Sequence, residues 1–159
     1  MTVVLFRVDE RLIHGQVVVG WARRLHPRRV IVVHNAVASS VDEQDIYRSG
    51  LPEGIEAAFW TEAEAVARLP QVMESDEPAF VLTEDLETMW RLAVAGVAIP
   101  EINVGGLHAA PQRERVLPYV CLGDSDLKRI RELEAAGVRV TAQDVPTAAP
   151  VRLVEQAEE

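Results

Sequence analysis

Arg7-Val8-Asp9-Glu10-Arg11-Leu12-Ile13-His14-Gly15-Gln16 is the stretch on which the reading of this 159-residue chain turns. It follows an apolar run, Thr2 to Phe6, that reads as a buried first strand. It precedes Val17 to Leu25, where Val18, Trp21, Ala22 and Leu25 fall on one helical stripe. The stretch is therefore read as the turn between a first strand and a first helix. In an open α/β sheet that turn lies at the carboxyl edge, where ligands bind. The helix start there offers free N–H groups and the positive end of the helix dipole, both suited to phosphate. An imidazole at His14, among arginines and a carboxylate, could carry a phosphoryl group. The plainer alternative treats His14 as a polar surface residue, Arg7, Asp9 and Arg11 as charged turn residues, and Asp9 as a helix cap.

Outward from that turn, strands and helices alternate. Val30 to Val33 is a second strand. Val41 to Ser49 is a helix stopped by Gly50 and Pro52. Ile55 to Trp60 is a third strand, and Thr61 caps a helix to about Leu69 with Glu64 in the capping-box position. Gln71 to Glu77 reads as a loop. Ala79 to Thr83 is a fourth strand, and Leu86 to Ala95 a helix ended by Gly96. Glu101 to Val104 is a fifth strand, Val116 to Leu122 a sixth, and Asp124 to Ala136 a charged amphipathic helix with Gly137 at its end. Val138 to Val145 is the last strand, and residues from about Val151 form a short terminal segment that frays into Glu155-Gln156-Ala157-Glu158-Glu159. The alternation argues for an α/β fold: a doubly wound, mostly parallel open sheet with helices on both faces. No repeat and no long linker divides residues 1–159.

Composition narrows the function classes. The chain is 48% hydrophobic and 26% charged, as globular domains are, and 159 residues can bury a real core. A net charge of −9 argues against nucleic acid as a partner. Phosphate binding survives that charge if arginines are local, as Arg7 and Arg11 are. No apolar run approaches the roughly 20 residues that span a bilayer, and the N-terminus has no signal-peptide layout. The one cysteine, Cys121, excludes an internal disulfide and suits a reducing cytoplasm.

The opening run also resembles a known family. Arg7 through Val17 is similar to the N-terminal motif of the mannose/fructose/sorbose-type enzyme IIB components of the bacterial phosphoenolpyruvate:sugar phosphotransferase system. Ile102-Asn103-Val104-Gly105-Gly106 is a second match; Gly137-Val138 followed by Gln143-Asp144-Val145-Pro146 is a third. The matches span essentially the whole chain in family order. The resemblance implies one IIB-type phosphocarrier domain over residues 1–159, with one antiparallel strand near a sheet edge. It implies a cytoplasmic phosphotransferase that accepts a phosphoryl group from a IIA protein on His14. It then passes the group to a hexose imported through the membrane IIC and IID subunits. The alternatives kept open are a regulatory IIB-like module without transport, and an anion-binding domain without transfer. The chain departs from the family at His34 and Asn35, where many members carry acidic residues. It also departs in the shorter segment from Ala36 to Leu51. A homodimer is compatible with this reading.

The chemistry assigns roles. A nucleophilic imidazole must be neutral, with one ring nitrogen's proton held and the other exposed. Asp9 is the candidate orienter and Glu10 the alternative. Transferring phosphoryl oxygens need positive donors: Arg11, with its planar fork, and Arg7. Gly15, Gln16 and nearby backbone N–H groups complete the first turn. Asn103, Gly105 and Gly106 form a flanking loop whose glycines permit close approach. No metal and no cofactor is called for. The first turn, the His34–Asn35 strand end and the Asn103–Gly106 loop should converge on one shallow pocket. His26 is expected at an exposed helix end, and Cys121, Trp21, Trp60 and Trp90 in packing roles; His108, which follows the double glycine, is a weaker candidate that could approach the site. Arg23, Arg24, Arg28 and Arg29 read as a solvated rim that could face a partner.

Overall fold

Val30-Ile31-Val32-Val33 and Ala79-Phe80-Val81-Leu82 are continuous apolar runs with no polar alternation, the pattern of strands covered on both faces. The computed structural model describes residues 3–157, and in it these runs lie inside a parallel sheet. The strands are β1 (Val3–Val8), β2 (Arg29–Val33), β3 (Glu56–Trp60), β4 (Ala79–Thr83), β5 (Glu101–Val104), β6 (Arg113–Leu117), β7 (Val120–Gly123), β8 (Arg139–Ala142) and β9 (Val151–Arg152). The main sheet runs β3-β2-β4-β1-β5-β8-β9, with β6 and β7 paired separately. All its neighbours are parallel except β9, an antiparallel edge strand beside β8. A π-helical segment, Gln16–Trp21, continues into α1 (Ala22–Leu25). The other helices are α2 (Asn35–Ala38), α3 (Val41–Ser49), α4 (Glu62–Glu74), α5 (Leu86–Val94), α6 (Asp124–Ala135) and α7 (Leu153–Ala157).

Two apolar layers sandwich the sheet. On one face Leu5, Val30, Val32, Phe80 and Leu82 meet Val17, Trp21, Ala22 and Val37. On the other Phe6, Val8, Ile31 and Val81 meet α4, α5, α6 and Leu153 of α7. Successive strand residues thus serve opposite layers. The chain builds the β2, β3 and β4 side first and then crosses β1 to build β5 and β8. The crossing puts the carboxyl ends of β1, β4 and β5 side by side, the place where doubly wound sheets bind ligands.

Several expected boundaries move. The first strand's expected start at Thr2 lies outside the described residues, and its end extends through Arg7 to Val8. Arg7 is a ladder residue opposite Leu82 and Asn103, not a turn residue. The helix expected to stop at Leu69 continues across Pro70 to Glu74. Pro70 removes one intrahelical donor, but Ala65, Leu69 and Val72 form a single buried stripe that holds the last turn in place. The expected sixth strand is a hairpin: Pro118 and Tyr119 turn the chain, and Leu117 pairs with Val120. The last parallel strand stops at Ala142; the Gln143 N–H still bonds the Val104 carbonyl, and its side chain turns to the carbonyls of Pro146 and Ala148. The terminal segment from Val151 adds β9 and buries Leu153, and the helix Leu153–Ala157 runs on where fraying was expected from Glu155; Glu158 and Glu159 lie outside the described residues. A short helix, α2, follows β2 directly, with His34 as its cap. The Thr61–Glu64 capping box forms as expected, as does the helix Val41–Ser49.

The first helix departs from a 3.6-residue repeat. The Ala22 N–H bonds the Val17 carbonyl five residues back, so the buried set is Val17, Trp21 and Ala22. The side chains of Gln16 and Val18 lie outside the described structure, so the expected place of Val18 on the stripe and of the Gln16 side chain at the site are not described.

Candidate functional site

β1 delivers Arg7 and Asp9 to the carboxyl edge, and both side chains are wholly buried. Asp9 follows the last ladder residue, its N–H bonded to the Thr83 carbonyl at the end of β4. The loop then folds tightly: Leu12 N–H returns to the Asp9 carbonyl, and Leu12 adopts φ 55°. A left-handed leucine is strained. Leu12 and its neighbour Ile13 are both buried in the layer under α1, which fixes the loop and lifts His14 out of it.

The Asp9 carboxylate is the hub. Its Oδ1 accepts from the Arg11 backbone N–H at 3.1 Å and from Arg11 Nε at 3.0 Å. Its Oδ2 accepts from Arg11 Nη2 at 3.0 Å, the Gly106 N–H at 3.1 Å and Arg7 Nη2 at 3.3 Å. His14 Nε2 lies 3.2 Å from the same oxygen. Burial on its own would raise the pKa of this carboxyl group. The hydrogen bonds from His14, Arg11 and Gly106 outweigh burial and hold it well below the usual carboxylate range. An ionised carboxylate has no proton to give, so Nε2 of His14 must be the donor. Nδ1 is then the ring nitrogen with a free lone pair, on a side chain 16% exposed.

Arg7 lies beneath the hub. Its Nη1 donates to the Asn103 side-chain oxygen and, at 2.9 Å, to the Gln143 carbonyl; Nη2 also reaches the Asp144 carbonyl at 3.3 Å. Trp21 roofs it, with the ring centroid 5.0 Å from the guanidinium carbon and Nε1 donating to the Asp144 carbonyl. Burial lowers the Arg7 pKa, opposed by Asp9, from a starting value so high that the cation persists. Asn103 Nδ2 bonds Gln143 Oε1 at 3.2 Å, tying β5 to the end of β8. A Cβ on Gly105 would sit 2.1 Å from Arg7 Nη2 and 2.5 Å from Asp9 Oδ2. Only glycine admits the ion pair against that backbone, which gives the glycine pair its physical reason.

Of the residues expected at the site, Arg7, Asp9, Arg11, His14, Asn103, Gly105 and Gly106 come together. Gly15 is exposed at the start of the π-helical segment. The Arg11 fork, expected to face phosphate, is clamped on Asp9, which raises the Arg11 pKa and leaves Nη1 directed away from the carboxylate. Glu10 is not a second orienter of His14. It accepts from Arg113 Nη1 at 2.5 Å and from the His108 N–H, and pairs with His108 Nδ1 at 2.9 Å. His108 is thereby held on the rim. His34 and Asn35 share the carboxyl edge, yet their hydrogen bonds go to Val37, Glu84 and Glu62 rather than to the loop of residues 9–15. Convergence is therefore of the β1, β4 and β5 ends, without the β2 end. His26 ends α1 exposed at φ 49°, and Cys121 is buried in β7. Gln143, Asp144 and Trp21, which complete the Arg7 cage, carried no site role in the sequence reading. The Gln143-Asp144-Val145-Pro146 match was the signal that could have pointed to the first two.

Residues 3–158 match the family described as PTS system sorbose subfamily IIB component. The chain belongs to that family. Among IIB relatives, the N-acetylgalactosamine-specific phosphotransferase enzyme IIB component 2 of Escherichia coli K12 is 32% identical over 151 residues, 95% of this chain and 96% of the relative. The sorbose-specific EIIB component of Klebsiella pneumoniae is 27% identical over 159 residues, 100% of this chain and 97% of that one. The crystal structure of the IIB domain of the Klebsiella sorbose permease superposes with a TM-score of 0.90 at 28% identity, covering 99% of this chain and 97% of that one. The mostly parallel sheet with an antiparallel edge strand is thus the IIB fold, and the chain is a phosphotransferase component of a sugar transport system. No helix among the described residues is long and apolar enough to cross a membrane.

Proposed function

We propose that Nδ1 of His14 carries the phosphoryl group, and that residues 1–159 act as one cytoplasmic carrier domain between a phospho-IIA protein and a hexose presented by IIC and IID subunits. The observation that carries the reading is the Asp9–His14 pair: an ionised, fully buried carboxylate holds the Nε2 proton and leaves Nδ1 nucleophilic. Nδ1 attacks phosphorus as the donor's P–N bond breaks. The product keeps its Nε2 proton on Asp9, which stabilises the positive charge that N-phosphorylation places on the ring. Charge on the three equatorial oxygens is met by Arg11 N–H groups not used on Asp9 and by backbone N–H groups at the helix start. In the second transfer a sugar hydroxyl attacks phosphorus, the P–N bond breaks, and the hydroxyl proton leaves to solvent. His14 returns to the neutral form from which it began.

The test is direct. Incubate the chain with phosphoenolpyruvate, enzyme I, HPr and a IIA protein of this family, then map the acid-labile label. The expected result is one phosphohistidine, at Nδ1 of His14, and no label in His14→Ala. Label on His34, His108 or Cys121, or on Nε2 of His14, would overturn the assignment.

A further inference from the structure

At the amino edge of the sheet, opposite His14, lies a surface the transfer reaction does not use. α1 ends there in Arg23 and Arg24, and the turn into β2 carries Arg28; all three are exposed. Among the described residues, none of the three has a carboxylate within ion-pair distance. Most other arginines on this acidic chain do: Arg48 with Asp45, Arg68 with Glu64, Arg91 with Glu62, Arg113 with Glu10, Arg129 with Glu87 and Arg152 with Glu134. Three exposed arginines without an ion pair thus share one edge of a chain with 25 acidic and 16 basic residues. Arg23 and Arg24 favour the carbonyl end of α1, but that accounts neither for Arg28 nor for what lies beside them.

Beside them is a groove of about 640 Å³ lined by Val19, Ala22, Leu51, Pro52 and Ile55, with Arg23 and Arg28 on its wall and Glu53 on its rim. A second cleft of about 420 Å³ lies on the other side of the α1 ridge, toward the carboxyl-edge loop that follows β8; Val145 and Pro146 wall it, and it shares Val19 and Arg23. Val19 crowns the ridge, 53% exposed. The apolar floor and cationic walls call for an extended segment with carboxylates and at least one apolar side chain. A flat anionic bilayer would meet the arginines but leave the clefts unfilled.

We propose that this edge docks an acidic, apolar-anchored segment of a membrane subunit of the transport system. The inference rests on the carrier reading above and names a partner surface for it. Docking by a flexible segment at the amino edge leaves His14 uncovered at the carboxyl edge. The carrier is held near its acceptor at raised effective concentration, yet stays free to meet the donor.

Membrane vesicles containing the IIC and IID subunits, and protein-free vesicles of phosphatidylglycerol and phosphatidylethanolamine, are the probes. The native chain should bind the first and not the second, more weakly as salt rises. R23Q/R24Q/R28Q, and separately Val19→Asp, should each weaken that binding tenfold or more. Both should accept phosphoryl groups from phospho-IIA at the native rate. Native-strength binding by both variants overturns the proposal, as does failure of the native chain to bind the subunit-containing vesicles. Equal binding to protein-free vesicles would make the bilayer the occupant and overturn it too. A parallel fall in phosphorylation by IIA would assign the patch to the donor instead. Failure of the carrier reading would register separately, as absence of His14 phosphorylation in the native chain with vesicle binding intact.

Discussion

The two edges of the sheet treat charge in opposite ways. At the carboxyl edge, Arg7, Asp9 and Arg11 are bonded to one another, and Arg7 and Asp9 are removed from water altogether. At the amino edge, Arg23, Arg24 and Arg28 are exposed, with no carboxylate in ion-pair range among the described residues. The contrast separates charge that builds a site from charge that waits for one. A buried charge is tolerated only when paired and hydrogen-bonded, so the first cluster must be complete before any ligand arrives. An exposed arginine costs the fold almost nothing and can await an external partner.

Substitutions should separate the edges by size of effect. Asp9→Ala leaves the buried Arg7 cation without its counter-charge and should destabilise by about 3–5 kcal/mol, measured by urea unfolding. The same variant should change the acid limb. Because the folded-state pKa of Asp9 is lowered, its stabilisation is fully present above the unfolded value of about 3.9. It is lost as pH falls through the folded value. Asp9→Ala should therefore show a shallower fall in stability below about pH 4; an unchanged slope would show that Asp9 is not ionised in the fold.

Arg11→Ala should slow phosphoryl transfer roughly 10²-fold, equivalent to about 2.7 kcal/mol of barrier. Rapid-quench measurement of label transfer from phospho-IIA checks this. Arg11→Lys should recover part only, because one ammonium cannot clamp Asp9 through two donors and also face phosphate. A wild-type rate in Arg11→Ala would remove Arg11 from the mechanism.

Gly105→Ala forces a methyl against Arg7 and Asp9 and should cost about 1–3 kcal/mol in thermal or urea unfolding. Gly106→Ala should cost less, since its methyl would lie 3.1 Å from Arg11 Nη2 and 3.3 Å from Asp9 Oδ1, where neighbours need give only slightly, against 2.1 Å at Gly105. Equal costs would mean that the two glycines do not differ in what they approach. The smallest effect belongs to the other edge: R23Q/R24Q/R28Q should leave stability within about 0.5 kcal/mol of native. A larger loss there would erase the contrast between the two edges.

Local signals in the chain were enough for the alternation of elements and for the loop that holds the site. Apolar runs such as Val30 to Val33 and Ala79 to Leu82 carry their own boundaries, because a strand covered on both faces is apolar along its span. The Thr61–Glu64 box and the glycines at positions 96 and 137 are likewise local chemistry. His14, Asp9, Arg11 and the Gly105–Gly106 pair could be named from the sequence because they fall in short runs at strand ends. What the sequence could not determine was which groups those residues would meet. Arg7 read as a turn cation, and only pairing with β4 and β5 makes it a buried strand residue caged by Asn103, Trp21 and the carbonyls of Gln143 and Asp144. The direction of the Arg11 fork, the choice of Asp9 over Glu10 as partner of His14, and the passage of α4 through Pro70 were decided the same way. Each depends on atoms far apart in the chain, and a buried charge or a shared apolar stripe acquires its energy only when tertiary packing excludes water around it.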